Sequence, residues 1–279
     1  MAIKLDMGRA WNEAVAMLSA NRHVVLVVAG VFFLLPNLAM TLLAPQITTT
    51  TSTVRTPGPQ PDPEQVMAQI SAEMGAWFQE VWWMFLLAAL AQAVGTIGLF
   101  ALLTDRARPT VGEALRFGVR ALPTYMATQL IIVFGYLALI MTVLVVAQAS
   151  PAVAAIMGLM LTVGLVYAMV KLSLATPVIG IEREMNPVAA LKRSWRLTKG
   201  NSLMIFGFVL LMLVAFLVIS AVASLVFMGF ALLGEELGMI VSAVGNGVLT
   251  MCLVAVMVAA LAAVHRQLSG RTATEETFD

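Results

Sequence analysis

The residues of this sequence that could do metal or redox chemistry are few and far apart. The single cysteine, Cys252, lies within an apolar run. The two histidines, His23 and His265, lie at opposite ends of the chain, each beside an arginine at the edge of an apolar segment. A disulfide framework, a CxxC redox pair or a structural metal site needs several such residues at close spacing. We therefore expect no metal site and no cofactor, and we interpret both histidines as solvated interfacial residues.

The apolar part of the chain also lacks the residue patterns of acid–base or covalent catalysis. Such chemistry needs paired carboxylates, a nucleophile beside its base, or metal ligands at helical spacing. The apolar segments contain no HExxH, GxSxG or GxGxxG sequence, and their centres contain no Asp or Glu. The sequence therefore predicts a protein that is not an enzyme.

The composition indicates a membrane protein. Of the 279 residues, 61% are hydrophobic and 11% are charged, whereas a soluble domain has about 45–50% and about 25%. So few polar residues cannot cover a soluble core of this size. The net charge is +1, and we expect no nucleic-acid partner.

Six apolar segments are long enough to cross a hydrocarbon layer of about 30 Å as helices. The sequence predicts an all-α membrane protein with a single six-span domain over residues 1–279. Residues 44–62, rich in Thr and Pro, are expected to form a disordered external loop. Asp62-Pro63-Glu64 is expected to open a separate amphipathic helix that bends at Gly75 into the second span. The six predicted spans are 24–43, 81–103, 124–147, 152–176, 203–230 and 238–264.

Basic residues concentrate in the connections on one side of the predicted spans. The other side carries one basic residue, Arg55, and six acidic residues. The positive-inside rule then predicts that both termini, including a tail at 266–279, lie in the cytoplasm. Lys171, the one base within a span, is expected to snorkel to that interface.

Each inner basic segment precedes an outgoing span and is predicted to be an amphipathic helix on the membrane surface. The second is expected to begin at a capping box of Thr110 and Glu113, and the third at Asn186 followed by Pro187. An amphipathic helix plus a hairpin would then repeat three times, although chance similarity in so apolar a chain is the alternative. Mitochondrial carriers share this layout, but their Pro-x-Asp/Glu-x-x-Lys/Arg signature is missing here. The repeat units would be 5–103, 109–176 and 186–264.

Two interpretations of the charged segment after the fourth span are open. In one, Glu182 pairs with Arg193 or Arg196 and, with Ser194 and Trp195, forms a structural latch that holds the third amphipathic helix on the bundle. In the other, exposed bases form a rim that attracts anionic lipid headgroups. This rim would consist of Arg116, Arg120, Lys192, Arg193, Arg196 and Lys199.

Polar residues inside the spans are few, and most should bond to neighbouring helices or to the backbone. Gln92, Gln129 and Asn246 could instead line a polar cavity, as in a carrier.

A motif around the end of the fourth span suggests a family. It consists of Pro177, Glu182, Ala190-Leu191, Ser194-Trp195, Leu197-Thr198 and Gly200-Asn201. On this motif, residues 167–206 resemble the membrane domain associated with bacterial glycerophosphoryl diester phosphodiesterases and related six-span inner-membrane proteins. The resemblance implies a six-span membrane fold. In that family the chemistry resides in a separate soluble barrel, which these 279 residues do not contain, so it implies no hydrolase activity here.

The sequence thus leaves two functional hypotheses. The first is a non-catalytic inner-membrane protein that organises lipid or assembles with a protein partner or a second copy, using its inner amphipathic helices. The second is a carrier or channel for a lipid or small amphiphile, using the buried amides.

Overall fold

The computed structural model describes residues 4–44, 63–104, 109–232 and 234–275. Within these ranges the chain is helical and contains no strand, and six helical segments are long and apolar enough to cross a membrane. The predicted all-α, six-span fold class is therefore confirmed. The α-helices are α1 Met7–Ala20, α2 Arg22–Ala29, α3 Leu35–Leu43, α4 Pro63–Thr104, α5 Val111–Ala149, α6 Pro151–Leu172, α7 Ala175–Ile181, α8 Pro187–Leu197, α9 Ser202–Ala231 and α10 Glu235–Glu275.

Two of the spans are interrupted helices, and each interruption precedes a proline. A π-helical turn at Gly30–Leu34 joins α2 to α3, just before Pro36. The fourth span breaks between α6 and α7, four residues before Pro177. Proline has no N–H and its ring collides with the carbonyl four residues earlier, so the regular hydrogen-bond ladder opens at that point.

Two predicted helix boundaries are not found in the structure. The amphipathic segment after Asp62 does not form a separate helix, because α4 runs without interruption through Gly75; Asp62 itself lies outside the described residues. The second amphipathic helix is continuous with the third span as α5, which accommodates Pro123 internally. A single glycine or proline weakens a helix without ending it when the neighbouring turns remain bonded. The predicted loop 44–62 and the end of the tail also lie largely outside the described residues.

The core of the protein lies at one end of the bundle, which we call the basic end because α1, α8 and the start of α5 bring Arg and Lys residues there. The second half of α10 forms its centre and contacts α1, α4, α7, α8 and α9. This half is rich in alanines that have no accessible surface, including Ala259, Ala260 and Ala263. Small side chains let helix backbones approach closely inside a membrane. Towards the opposite end, α5, α6 and α9 turn large apolar side chains outward, as expected for contact with lipid.

The α4–α5 pair illustrates how close the helices are at the basic end. A Cβ atom added at Gly118 would lie 2.8 Å from the backbone oxygen of Val94. The space for a methyl group is therefore absent, and the approach of the two helices requires glycine here. At Gly135, farther along α5, an added Cβ atom would have no neighbouring atom within 4 Å.

Replacing Gly118 with alanine should destabilise the folded protein by about 1–3 kcal/mol, because the helices must separate to admit the methyl group. The free energy of unfolding in mixed detergent micelles measures this effect. The matched control is Gly135→Ala, which should be neutral or stabilising by up to about 1 kcal/mol because alanine favours helix. Equal stabilities for the two variants would contradict the close packing of α4 on α5.

Candidate functional site at the basic end

Helix α8 is short and amphipathic, and its ends are set by its sequence. The side-chain oxygen of Asn186 accepts hydrogen bonds from the backbone N–H groups of Val188 and Ala189, at 3.0 and 3.2 Å, and Pro187 occupies the first helical position. This confirms the predicted start of the helix. The predicted capping box of Thr110 and Glu113 is likewise present at the start of α5.

One face of α8 is bonded to the end of α6. The hydroxyl of Ser194, which has no accessible surface, donates a 2.7 Å hydrogen bond to the backbone carbonyl of Lys171. The Thr198 hydroxyl approaches the same carbonyl at 3.4 Å. Lys171 lies in the last turn of α6, where backbone carbonyls lack helical partners. The Thr198 proton has a closer acceptor in the Ser194 carbonyl, at 3.0 Å, so the Ser194 hydroxyl is the donor that satisfies the buried carbonyl of Lys171 and holds α8 in place.

A carboxylate bridges three elements beside this contact. Glu182, directly after α7, accepts hydrogen bonds from Nε of Arg193 on α8, at 3.1 and 3.2 Å to its two oxygens. It also accepts one from Nε2 of His265 on α10 at 2.9 Å. A carboxylate only accepts, so His265 carries its proton on Nε2 in this contact. Of the two arginines that the sequence offered to Glu182, the structure places Arg193 beside it.

The interpretation of His265 as a solvated residue is wrong. Its side chain is 2% exposed, and its Nδ1 atom has no hydrogen-bond partner among the described residues. The sequence pattern ended the sixth span at residue 264, but α10 continues to Glu275, and the turn that carries Val264, His265 and Leu268 is buried. His265 therefore lies in the core, and the approach of α7 supplies its carboxylate partner.

The two partners of Glu182 also set its ionisation. Partial burial raises the pKa of Glu182, but the hydrogen bonds from His265 and Arg193, together with their charges, outweigh burial and hold the pKa below its usual value. The carboxylate is therefore charged at neutral pH. In the described part of the chain, no group of three or more His, Cys, Asp or Glu side chains is placed to hold a metal ion.

Lys171 does not reach solvent as the sequence suggested. Its side chain is 2% exposed, and the ammonium group lies 5.4 Å from the ring centre of Tyr167 and 5.6 Å from that of Trp195. The two rings meet edge to face, with centres 5.9 Å apart. The aromatic side chains close over the ammonium group because α8 is held against the end of α6. Trp195 thus covers Lys171 and is itself half exposed.

The opposite face of α8 carries exposed bases. Lys192 and Arg196 line a cleft of about 490 Å³ together with Trp195 and Ala189. Lys199 is exposed just beyond the helix. Arg116 and Arg120 are exposed on α5, which packs against α8 at the same end. The structure thus brings the predicted rim residues to one end of the bundle, except that Arg193 turns to Glu182.

The structure shows no contact among Gln92, Gln129 and Asn246, the residues that the sequence proposed for a polar cavity. The side chain of Gln129 donates a 3.0 Å hydrogen bond to the Tyr125 hydroxyl on its own helix, and Asn246 is exposed on α10. Gln92 is half-buried on α4. A cavity of about 570 Å³ lies between α1, α9 and α10, but its lining is apolar and includes none of the three.

Two further anchors of the basic end were missed from the sequence. The side-chain oxygen of Asn201 accepts a 2.8 Å hydrogen bond from the backbone N–H of Leu5 and is buried. The Thr124 hydroxyl donates to the backbone carbonyl of Met185 at 2.9 Å. In the sequence, Gly200-Asn201 stood out only as part of a motif. The partners, however, lie 196 and 61 residues away, and no local pattern predicts them.

No protein-family model, curated protein or solved structure matches this chain. The resemblance of residues 167–206 to the membrane domain of glycerophosphoryl diester phosphodiesterases therefore stays a prediction.

Replacing Glu182 with glutamine should lower the free energy of unfolding by about 1–2 kcal/mol at neutral pH, since the charge-assisted bonds to α8 and α10 are lost. The pKa of Glu182 is lowered by folding, so its contribution is present above the unfolded value, about 4.3, and is lost as the pH falls through the folded value. The difference between wild type and variant should therefore shrink in acid. Denaturation curves of both proteins in detergent, at neutral pH and at acid pH, measure this difference in the free energy of unfolding.

The matched control is Glu13→Gln, which removes the carboxylate from an exposed pair on α1. Arg9 and Glu13 lie 3.0 Å apart, with side chains 65% and 26% exposed. Their contribution should stay below about 0.5 kcal/mol. If Glu182→Gln costs no more than this control, or costs the same in acid as at neutral pH, the assigned bridge is wrong.

Proposed function

We propose that this chain is a non-catalytic, multi-pass protein of the bacterial inner membrane whose basic end binds anionic lipid headgroups and organises lipid around it. The supporting observation is the two-faced placement of α8. Ser194 and Arg193 attach one face to the bundle, while Lys192 and Arg196 stand exposed on the other. A fixed cationic surface beside the hydrocarbon layer attracts anionic lipids by about 1 kcal/mol for each Lys or Arg near the membrane surface.

The charge distribution supports a cytoplasmic location for the basic end. Exposed bases of α1, α5 and α8 share this end, whereas the start of α4, at the other end, carries Glu64, Glu73 and Glu80. Short loops and helix ends with excess Lys and Arg remain on the cytoplasmic side during insertion. Both chain termini would then be cytoplasmic, facing the anionic inner leaflet.

The partners proposed for this surface are anionic phospholipids of the inner leaflet. Headgroup binding by bases needs no bond making or breaking, which agrees with a non-catalytic role. A protein partner or a second copy of the chain would act in addition, against the apolar outer faces of α5, α6 and α9. The exposure of large side chains such as Phe134, Leu159 and Leu217 along these helices leaves room for either lipid or helix there.

Replacing Lys192, Arg196 and Lys199 together with glutamine should reduce the preference of the protein for anionic over zwitterionic lipid, by about 1 kcal/mol per charge. The measurement is the ratio of phosphatidylglycerol to phosphatidylethanolamine that copurifies with the full-length protein from nanodiscs of fixed composition. Raising the ionic strength should also weaken the preference of the wild type for phosphatidylglycerol, because salt screens the attraction between exposed charges.

Glu73→Gln, Glu80→Gln and Glu236→Gln in combination are the control, because they change an equal number of charges away from the basic end. This variant should keep the wild-type lipid ratio. A wild-type ratio in the basic-end variant, or an equal loss in the control, would argue against headgroup binding at the basic end.

A further inference from the structure

The ammonium group of Lys171 is buried at a membrane boundary, and no anionic partner for it lies among the residues that the structure describes. The ion pairs found among the described residues join other bases, and the ammonium faces only the rings of Tyr167 and Trp195. Aromatic faces attract a cation but do not replace the water or the carboxylate that a buried ammonium ordinarily needs. A base held inside a membrane segment in this way marks a binding site by default, and its ligand should be an anion.

The cleft on α8 is lined in part by the same Trp195 side chain. Lys192 and Arg196 form two of its walls, and Trp195 forms a third. Trp195 therefore belongs both to the cover of Lys171 and to the cleft, and it is 44% exposed. Turning the indole aside would therefore open the ammonium of Lys171 towards the cleft that Lys192 and Arg196 line. Lysine and arginine together suit the oxygens of a phosphate group.

An apolar track leads along α6 to this space. Ile156, Met160, Val163 and Tyr167 recur at helical spacing on one face, are each at least 49% exposed, and are followed one turn later by Lys171. The track from residue 156 to residue 167 is roughly 16 Å long at 1.5 Å per residue. That length matches one leaflet of a hydrocarbon layer about 30 Å thick. The site thus offers an apolar path for a chain and a cationic space for a headgroup in the order that a phospholipid presents them.

We propose that Lys171, Lys192 and Arg196 form a discrete site for the phosphate group of one anionic phospholipid, with an acyl chain along the α6 track. Trp195 gates the ammonium of Lys171 and lies against the bound headgroup. The inference rests on the proposed function, but it goes further. General attraction to a basic surface involves many exchanging lipids and is screened by salt, whereas this site holds one lipid whose phosphate meets a buried cation.

The attachment of α8 makes a clean test possible. The Ser194 hydroxyl bonds to the backbone carbonyl of Lys171, so a change of the Lys171 side chain leaves this hydrogen bond in place. Lys171→Met keeps the apolar stem and removes the charge, and Lys171→Arg restores a cation. The exposed pair Lys192→Gln with Arg196→Gln is a second variant that alters no buried group. Arg22→Gln, which removes an exposed base at the start of α2 and outside the cleft lining, is the matched control.

The experiment is native mass spectrometry of the full-length protein, titrated with phosphatidylglycerol in detergent before and after a wash at about 1 M salt, where the screening length is about 3 Å. The wild type and Arg22→Gln should each retain one phosphatidylglycerol through the wash. Lys171→Met and the exposed-pair variant should bind it on the order of tenfold more weakly, and Lys171→Arg should recover most of the affinity. Inorganic phosphate added as a competitor should not displace the lipid.

The outcomes separate this inference from the proposed function. If the wild type prefers anionic lipid but retains none through the wash, or if Lys171→Met binds like wild type, the site is refuted and the general lipid-binding function stands. If the wild type shows no anionic preference at any salt concentration, both are refuted. Displacement by inorganic phosphate would show that the site takes a free anion and would overturn the assignment to a lipid.

Discussion

The carbonyl group of Lys171 must be satisfied at a point where its own helix has ended. Pro177 interrupts the fourth span, α6 ends at Leu172, and the carbonyl of Lys171 in its last turn is left without a backbone donor. An unsatisfied carbonyl inside a membrane protein costs several kcal/mol, so a donor must come from elsewhere. Ser194 supplies it, and the position of Ser194 on α8 determines where that helix lies.

The other features of the basic end follow from this placement of α8. Once its buried face lies on the end of α6, Arg193 reaches Glu182, and the same carboxylate meets His265 on the central helix. The aromatic ring of Trp195 then closes over the ammonium of Lys171. The remaining face of α8 can only point away from the bundle, which exposes Lys192 and Arg196 at the membrane boundary. One buried hydrogen bond thus connects the break in a span to a cationic surface.

The sequence predicted the features that depend on the local residue pattern and on the apolar length needed to cross a membrane. The six spans follow from run length and the absence of charge, and the caps at Thr110 and Asn186 follow from side chains that compete for the first backbone N–H groups. The sequence limited the partner of Glu182 to Arg193 or Arg196, because both lie on the helix that follows it. The wrong placement of His265 has a different origin. Its burial depends on helices that are distant in sequence, and a histidine next to an arginine looks like an interfacial residue when only its neighbours are known.

The central claim is that α8 is a fixed part of the bundle and not a helix that floats on the membrane surface. Amide hydrogen exchange of the full-length protein in nanodiscs tests it most directly, because exchange reports the opening of individual helices. The account predicts slow exchange for α8 and for the last turn of α6, with both segments accelerated together in Ser194→Ala. Exchange of α8 as fast as that of a frayed surface helix, or acceleration of α8 alone, would contradict it.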